Sequence, residues 1–348
     1  MKLPSVKELS VAQKTVLLRT NYDVPLKSQK SKIKNQNLEV ADGTRIDESL
    51  PTINYLLEQQ AKIIILSHLG RPEGKVNPDL SLKPIADCLG QLLKRELPLF
   101  SKIEEVDKNQ QVVILENLRF WPGEEDNDLA FAQNLAALGD FFVNDAFACA
   151  HRQHASIVGI PKFLPAAFGF DFIRETEVLD KVRNNPRRPV TVILGGVKED
   201  KLEVVDKLLN WADYLLIGGK LSTLISNSEK IFIADLNPEG KDITLESTER
   251  FKKIITQAGT IIWAGPMGVF EDSHYEVGTK AVAEAVVESG AYTVVGGGDT
   301  EAALTKFGLT DKVDYLVKQQ TMFISSGGGA MFEFLAQGTL PGIEAIVK

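Results

Sequence analysis

The sequence predicts an α/β protein with two lobes, each a mostly parallel sheet flanked by helices. Short apolar, β-rich runs alternate with helical patterns along the whole chain, which is typical of parallel sheets covered by helices. A length of 348 residues suits roughly two domains with separate cores. A helical stretch at 172–184 is followed by Pro186-Arg187-Arg188-Pro189, a proline- and charge-rich segment that indicates a domain boundary.

Composition narrows the functional class. A net charge of −8 argues against a general nucleic-acid surface, although it leaves room for a local basic pocket. Cys88 and Cys149 are far apart and have no metal-ligand spacing around them, so they suit a reducing compartment better than a disulfide framework. No apolar run reaches the roughly 18 residues of a membrane span. We therefore expect a soluble cytoplasmic protein without nucleic-acid or membrane partners.

Four predicted strands in the first half each lead to a cation. The carboxyl ends of parallel strands form the ligand-binding edge of an open α/β sheet, and guanidinium groups match phosphate and carboxylate geometry. The pattern therefore predicts a pocket for a small, multiply charged anion, which Arg45 at the start of a helical stretch could join. The strands and cations are 16–18 with Arg19, 62–66 with His68 and Arg71, 112–115 with Arg119, and 141–143 with His151 and Arg152.

Two other features of the first half have simpler interpretations. The acidic run Glu124-Glu125-Asp126 is predicted to be a solvated loop. Cys149 lies two residues before His151, but no nucleophile with an oriented base is evident, so a small, partly buried cysteine is the better interpretation.

In the second half the predicted strands end in glycines instead of arginines. Glycine turns expose backbone N–H groups, and a helix that begins just behind them adds the positive end of its dipole, so such turns bind phosphate well. Neither a Walker loop nor a dinucleotide fingerprint is present, which argues against a dehydrogenase. An anion pocket in one lobe and a phosphate site in the other indicate phosphoryl transfer. The turns are Gly195-Gly196, Gly218-Gly219, Gly265, Gly296-Gly297-Gly298-Asp299-Thr300 and Ser325-Ser326-Gly327-Gly328-Gly329.

These motifs, in this order, resemble the phosphoglycerate kinase family over essentially the whole chain. The resemblance implies two Rossmann-like lobes around a hinge. It places phosphoglycerate in an amino-terminal lobe (1–170, with a returning tail 335–348) and ADP or ATP with Mg²⁺ in a second lobe (186–334), with an interdomain helix at 171–185. A monomer is expected. The resembling segments are 18–19 with 24–25, 42–46, 67–72, 115–120, 143–147 with 150–156, 194–201, 265–271, 296–300 and 325–330.

The resemblance also implies roles for individual residues. Arg45 would stabilise the phosphoryl group in flight, and the helix behind the last glycine turn, at Gly328, would point its amino end at that group. Asp299 would hold the magnesium ion, with Thr300 beside it, and Glu271 would bind the ribose. The implied phosphoglycerate contacts are Asn21, Asp23, His68, Arg71, Arg119, His151 and Arg152, and the implied nucleotide contacts include Lys198, Lys201, Gly265, Gly297 and Gly298.

The chain departs from the family pattern at several points. Asn21 and Asp23 exchange the family's acid and amide, Ala148-Cys149 replaces a glycine-threonine pair, and Ala264 replaces an asparagine. The lysine loop 198–201 is one residue shorter than usual, and the stretch 220–263 is compact, so we expect weaker or less base-selective nucleotide binding. An active kinase is the leading hypothesis. The alternative is a catalytically weak relative that binds nucleotide or phosphoglycerate for a structural or regulatory purpose.

Overall fold

The computed structural model describes residues 1–28, 38–196, 202–225 and 228–347, which form two compact units. Unit 1 contains Met1–Glu177 and Thr339–Lys348, and unit 2 contains Val178–Gly338. Within the described residues, every helix is too short or too polar to cross a bilayer.

Unit 1 is built on a six-stranded parallel sheet of order β5-β6-β4-β1-β7-β8. A separate antiparallel ribbon pairs β2 with β3. The strands are β1 (Thr15–Thr20), β2 (Leu26–Ser28), β3 (Leu38–Val40), β4 (Lys62–Leu66), β5 (Leu99–Phe100), β6 (Val112–Leu115), β7 (Phe141–Asp145) and β8 (Ala166–Phe168).

Helices cover both faces of this sheet, so its central strands are apolar on both sides. Helix α1 buries Ile46, Ile53 and Leu56 at helical spacing. The carboxylate of Asp42 accepts hydrogen bonds from the backbone nitrogen and hydroxyl of Thr44, which fixes the start of α1. The helices are α1 (Thr44–Glu58), α2 (Lys83–Leu93), α3 (Pro122–Glu125), α4 (Leu129–Ala136) and α5 (Phe170–Asn184), which ends in unit 2.

Unit 2 repeats the architecture with a six-stranded parallel sheet of order β11-β10-β9-β12-β13-β14. Its strands are β9 (Val190–Leu194), β10 (Tyr214–Ile217), β11 (Ile231–Ile233), β12 (Thr260–Ala264), β13 (Tyr292–Gly296) and β14 (Met322–Ser325). Its helices are α6 (Leu202–Leu209), α7 (Leu245–Ile255), α8 (Val277–Glu288), α9 (Gly298–Lys306), α10 (Thr310–Lys318) and α11 (Gly328–Gln337), and α12 (Pro341–Glu344) then returns to unit 1.

Both sheets have a point where strand order reverses, and this point positions the site. In unit 1 the neighbours β1 and β7 flank it, and in unit 2 the neighbours β9 and β12 do. Ligands of open α/β sheets bind in the crevice outside the carboxyl ends of such strands. The predicted fold class is confirmed. The sequence patterns did not indicate the short edge strands β5, β8 and β11.

Candidate active site

Arg19 is the buried centre of the cation cluster in unit 1. It lies near the carboxyl end of β1 between Leu66 of β4 and Asn144 of β7, with only 1% of its surface exposed. Its Nε donates to Ser156 Oγ at 2.9 Å, one terminal nitrogen donates to the Thr20 carbonyl, and the other lies 3.2 Å from His68 Nδ1. Because β1 borders the reversal point, Arg19 occupies the ligand-binding edge of the sheet.

His68, just beyond the end of β4, is electrically neutral. Burial, followed by the positive charges of Arg19, Arg119 and Arg152, holds the pKa of His68 well below its ordinary value. A second ring has the same environment, since burial and nearby arginines lower the pKa of His154 to about 3. Both imidazoles therefore act as uncharged hydrogen-bonding groups among fixed guanidinium charges.

Arg119 is held in the same cluster by the loop that follows β6. Its guanidinium donates to the Gly70 carbonyl at 2.6 Å, and its Nε lies 3.2 Å from a carboxylate oxygen of Glu125. The Asn117 side chain accepts from the Arg119 backbone nitrogen and donates to the carbonyl of Leu69, so it links this loop to the one after β4.

Asp23 and Arg45 lie on the exposed side of the cluster. Asp23 Oδ1 accepts from the Gly70 backbone nitrogen at 2.9 Å, and Asp23 Oδ2 lies 3.9 Å from His68 Nε2. Arg45, half-buried in the first turn of α1, donates to the Asp23 carbonyl. Asn21 is instead buried, with its Oδ1 3.9 Å from the Cys149 sulfur. The exchange of acid and amide therefore places the carboxylate at the more exposed of the two positions.

The remaining predicted contacts of unit 1 differ in exposure. Arg71 is exposed directly after Gly70, whereas His151 and Arg152 are half-buried after β7. The backbone nitrogen of Gly342 in α12 donates to the Ala150 carbonyl at 2.8 Å, so the carboxyl-terminal tail supports the turn that carries both.

Glu124 corrects one prediction from the sequence, because it is fully buried and does not lie in a solvated loop. Its Oε1 accepts from Ser156 Oγ at 2.6 Å, its Oε2 accepts from the Ser156 backbone nitrogen at 2.9 Å, and Arg19 lies 3.9 Å away. Burial raises the pKa of this carboxyl, and the Arg19 charge and the Ser156 hydrogen bonds oppose that rise. Glu124 and Ser156 support the site, yet polarity alone predicted exposure for the acidic run.

In unit 2, paired glycine turns pack on the loop that follows β12. Gly195 and Gly196 donate backbone hydrogen bonds to the carbonyls of Ala264 and Pro266, at 3.1 and 2.9 Å. A Cβ at Gly195 would lie 2.2 Å from the Pro266 carbonyl oxygen, so only glycine allows this approach. These two glycines therefore have a packing role at the reversal point.

Thr300 fixes the same loop to α9. Its hydroxyl is buried, accepts from the Gly265 backbone nitrogen at 2.8 Å and donates to the Gly296 carbonyl at 3.2 Å. At the far end of the loop, Lys306 Nζ lies 2.5 Å from the Phe270 carbonyl and 3.3 Å from that of Glu271. Lys306 also pairs with Glu276 at 2.6 Å. Sequence patterns do not indicate Lys306, because it lies at the far end of α9 from the glycine motif.

Helices α9 and α11 begin at glycines and have no side-chain cap. Gly297, just before α9, has a φ of +92°. The start of α11 packs closely on the end of β13, because a Cβ added to Gly296 would lie only 3.0 Å from the Cα of Gly328. The two amino ends therefore lie side by side at the edge of the sheet, each with uncapped backbone N–H groups that suit an anion. Gly298 and Asp299 are exposed at the amino end of α9, and Glu271 is exposed in the loop after β12, near the carboxyl end of α9. Lys198 and Lys201 lie outside the described residues.

The described residues contain no cluster of three or more histidine, cysteine or acidic side chains able to hold a metal ion. Magnesium in kinases is commonly bound by one or two carboxylates together with substrate phosphates. The exposed carboxylate of Asp299, in the first turn of α9, fits that mode.

Two Rossmann-like sheets, one with buried cations at its reversal point and one with uncapped glycine turns, define a phosphotransferase. A family model described as phosphoglycerate kinase matches residues 6–241 and 225–338. A curated phosphoglycerate kinase from Herpetosiphon aurantiacus is 37% identical over 407 residues, which cover 99% of each protein. The chain belongs to the phosphoglycerate kinase family, and its activity is that of a phosphoglycerate kinase, a glycolytic transferase.

Solved structures agree. The phosphoglycerate kinase from Coxiella burnetii matches with a TM-score of 0.75 and 33% identity, over 99% of both chains. The enzyme from Pyrococcus horikoshii OT3 matches with a TM-score of 0.77 and 28% identity, over 99% of this chain and 98% of that one. The alignment with the Herpetosiphon protein is longer than the 348 residues of this chain, so that relative carries segments that this chain lacks.

Proposed function

We propose how this chain carries out reversible phosphoryl transfer between 1,3-bisphosphoglycerate and ADP, with Mg²⁺ bound to the nucleotide. The observation that carries the proposal is the convergence of Arg19, His68 and Arg119 at the reversal point of unit 1. An acidic protein that buries two arginines beside a neutral histidine favours a small anionic substrate at that place.

The proposed substrate contacts of unit 1 divide by exposure. Buried His68 and Arg119, each held by a hydrogen bond, would orient the phosphoglycerate, and exposed Arg71 would close on it. Arg45 is placed in the first turn of α1, where the helix dipole adds positive potential, and would neutralise the phosphoryl group during transfer. Asn21, Asp23, His151 and Arg152 complete the proposed set of phosphoglycerate contacts.

In unit 2 the proposed nucleotide site uses backbone groups. The amino ends of α9, at Gly297 and Gly298, and of α11, at Gly328, would hold phosphate oxygens. Asp299 would bind the magnesium ion and Glu271 the ribose, while the buried Thr300 hydroxyl would position Gly265. Magnesium would neutralise charge on the nucleotide phosphates when bound. Lys198 and Lys201 are proposed phosphate contacts outside the described residues.

The chemistry needs no covalent catalyst, because an acyl phosphate is already reactive. The tasks of the protein are alignment, charge neutralisation and exclusion of water. We propose phosphoglycerate binding to 1–170 with the tail 335–348, nucleotide binding to 186–334, and hinge bending at 171–185. We also propose that the protein is a monomer and is located in the cytoplasm.

The decisive experiment measures ATP formation from 1,3-bisphosphoglycerate and ADP with purified protein and its Arg45→Ala variant. We expect the wild-type protein to form ATP and the variant to have a turnover rate about two to three decades lower, equivalent to roughly 3–4 kcal/mol of lost transition-state stabilisation. Arg95→Ala, which removes an exposed arginine of unit 1 bonded to Gln111, is the matched control. Absence of wild-type turnover would favour the weakly catalytic alternative, and unchanged turnover in Arg45→Ala would remove that residue from the mechanism.

We also propose weaker base selectivity in the nucleotide site. The parallel strands β10 and β11 are joined by a connection whose described part has only a short 3₁₀ helix, Gly219–Thr223, and Leu224 is exposed there. Typical crossovers carry a full helix that walls one side of the sheet. Calorimetry with ATP and GTP tests the proposal, since similar affinities would support it and a strong preference for adenine would contradict it.

A further inference from the structure

A chain of hydrogen bonds connects Glu124 to His68 through Ser156 and Arg19. The four residues involved, Glu124, Ser156, Arg19 and His68, are 0–3% exposed. They come from α3, the turn 155–159, β1 and the loop after β4, so they connect four separate parts of unit 1.

Arg19, inside the chain, fixes its polarity. A guanidinium group can only donate hydrogen bonds, and a serine hydroxyl that accepts from it still has its own hydrogen to donate. Arg19 Nε therefore donates to Ser156 Oγ at 2.9 Å, and the Ser156 hydroxyl donates onward to Glu124 Oε1 at 2.6 Å. The second oxygen of Glu124 accepts from the Ser156 backbone nitrogen at 2.9 Å, so both oxygens already receive a donor.

The other side of Arg19 meets the imidazole. A terminal nitrogen of Arg19 lies 3.2 Å from His68 Nδ1, so Nδ1 must accept and cannot carry a hydrogen. The ring is neutral because burial and the surrounding arginines disfavour its charged form. Its single proton must then be on Nε2, which faces Asp23 Oδ2 at 3.9 Å. The Nε2–H group is thereby aimed at the exposed side of the cluster.

We infer that Arg19, held by Ser156 and Glu124, is a positioning residue that keeps His68 in the Nε2–H tautomer as a hydrogen-bond donor to the anionic phosphoglycerate. The inference deepens the proposed function and rests on His68 as a substrate contact. A buried glutamate in an anion site is otherwise unfavourable, because it repels the substrate. Its fixed bonds to Ser156 explain its presence, since it orients the cation whose charge faces the ligand.

The first test needs no substitution. The chain has four histidines, so nitrogen-15 NMR resolves each ring. We expect a bare Nδ1 and a protonated Nε2 at His68 in the substrate-free protein at neutral pH. A protonated Nδ1, or a doubly protonated ring, overturns the inference.

The second test removes the link between Arg19 and Glu124. In Ser156→Ala we expect a mixture of His68 tautomers and a roughly tenfold higher KM for 3-phosphoglycerate, the effect of about one hydrogen bond, with the KM for ATP unchanged. Ser81→Ala is the matched control, because Ser81 donates to the buried Glu116 at 2.7 Å in the same unit without an arginine in that pair. If Ser156→Ala does not fold, Glu124→Gln is measured by the same two readouts.

Either readout at its wild-type value in the Ser156 or Glu124 variant overturns the positioning role. The substrate role of His68 is tested separately by His68→Ala. An unchanged KM for 3-phosphoglycerate in that variant would refute the substrate contact, whatever the NMR result. Failure of the inference and failure of the proposed function are therefore distinguishable.

Discussion

Asp145 should make unit 1 less stable as the pH rises through neutrality. This aspartate ends β7 and is buried, and its Oδ1 accepts from the backbone nitrogen of Phe172 in the first turn of α5 at 3.0 Å. Burial, reinforced by repulsion from the Asp171 carboxylate, raises the pKa of Asp145 from 3.8 to about 7. Hydrogen bonds, including one from Thr52, only partly oppose this rise.

The direction and size of the effect follow from linkage. Between pH 4 and 7 the folded protein holds a proton on Asp145 that the unfolded chain has released. The stabilising contribution is fully present below the unfolded pKa and is lost as the pH rises through the folded value. A shift of about three units at roughly 1.36 kcal/mol per unit gives a loss of about 4 kcal/mol.

Asp145→Asn removes the titrating group while an amide oxygen can still accept from Phe172. We expect the free energy of unfolding of the variant, relative to wild type, to rise by about 4 kcal/mol from pH 4 to pH 8. Urea-dependent hydrogen exchange of the β1 and β7 amides reports the opening of unit 1 itself. Asp140→Asn, which alters an exposed aspartate that accepts from Thr15, controls for the loss of one negative charge. A difference between variant and wild type that stays constant with pH would refute the reasoning.

Three further predictions concern unit 2. Lys306→Met should raise the KM for ATP severalfold in a coupled assay and leave the KM for 3-phosphoglycerate unchanged, because the lysine fixes the loop that carries Glu271. Equal changes in the two KM values would contradict this prediction. Gly195→Ala should lower the free energy of unfolding, measured in urea, by about 1–3 kcal/mol. Gly43→Ala should not, because the space around Gly43 is open. Equal effects of the two substitutions would argue against the close approach of Gly195 to Pro266. Chelation of Mg²⁺ should abolish turnover while calorimetry still detects 3-phosphoglycerate binding; turnover without the ion would exclude the proposed role of Asp299.

The fold and the location of the site could be predicted because they depend on local, repeated signals. Apolar runs such as 62–66 and 190–194 end in polar or glycine turns, and parallel topology then brings those ends to one edge. The edge strand β5 was missed because its two residues, Leu99–Phe100, are too few for any periodicity. Its pairing with β6 depends on tertiary contacts.

The inner support of the site could not be predicted in the same way. Glu124 looks like one acid in an exposed run, and its burial depends on Arg19, 105 positions away in sequence. Polarity predicts exposure only when no partner offsets the cost of desolvation. The buried Thr300 hydroxyl likewise accepts from the Gly265 backbone nitrogen, 35 positions away in sequence. In both cases the decisive partner is distant in the chain.

The return of Thr339–Lys348 to unit 1 affects the order in which parts of this protein can fold during translation. Residues 1–177 are translated first. The turn that carries His151 and Arg152 is bonded through the Ala150 carbonyl to Gly342, which is translated after all of unit 2. The nascent amino-terminal part of unit 1 therefore lacks this contact while about 160 intervening residues are synthesised. The hydrogen bond from Gly342 to the Ala150 carbonyl can therefore form only after residue 342 has been translated.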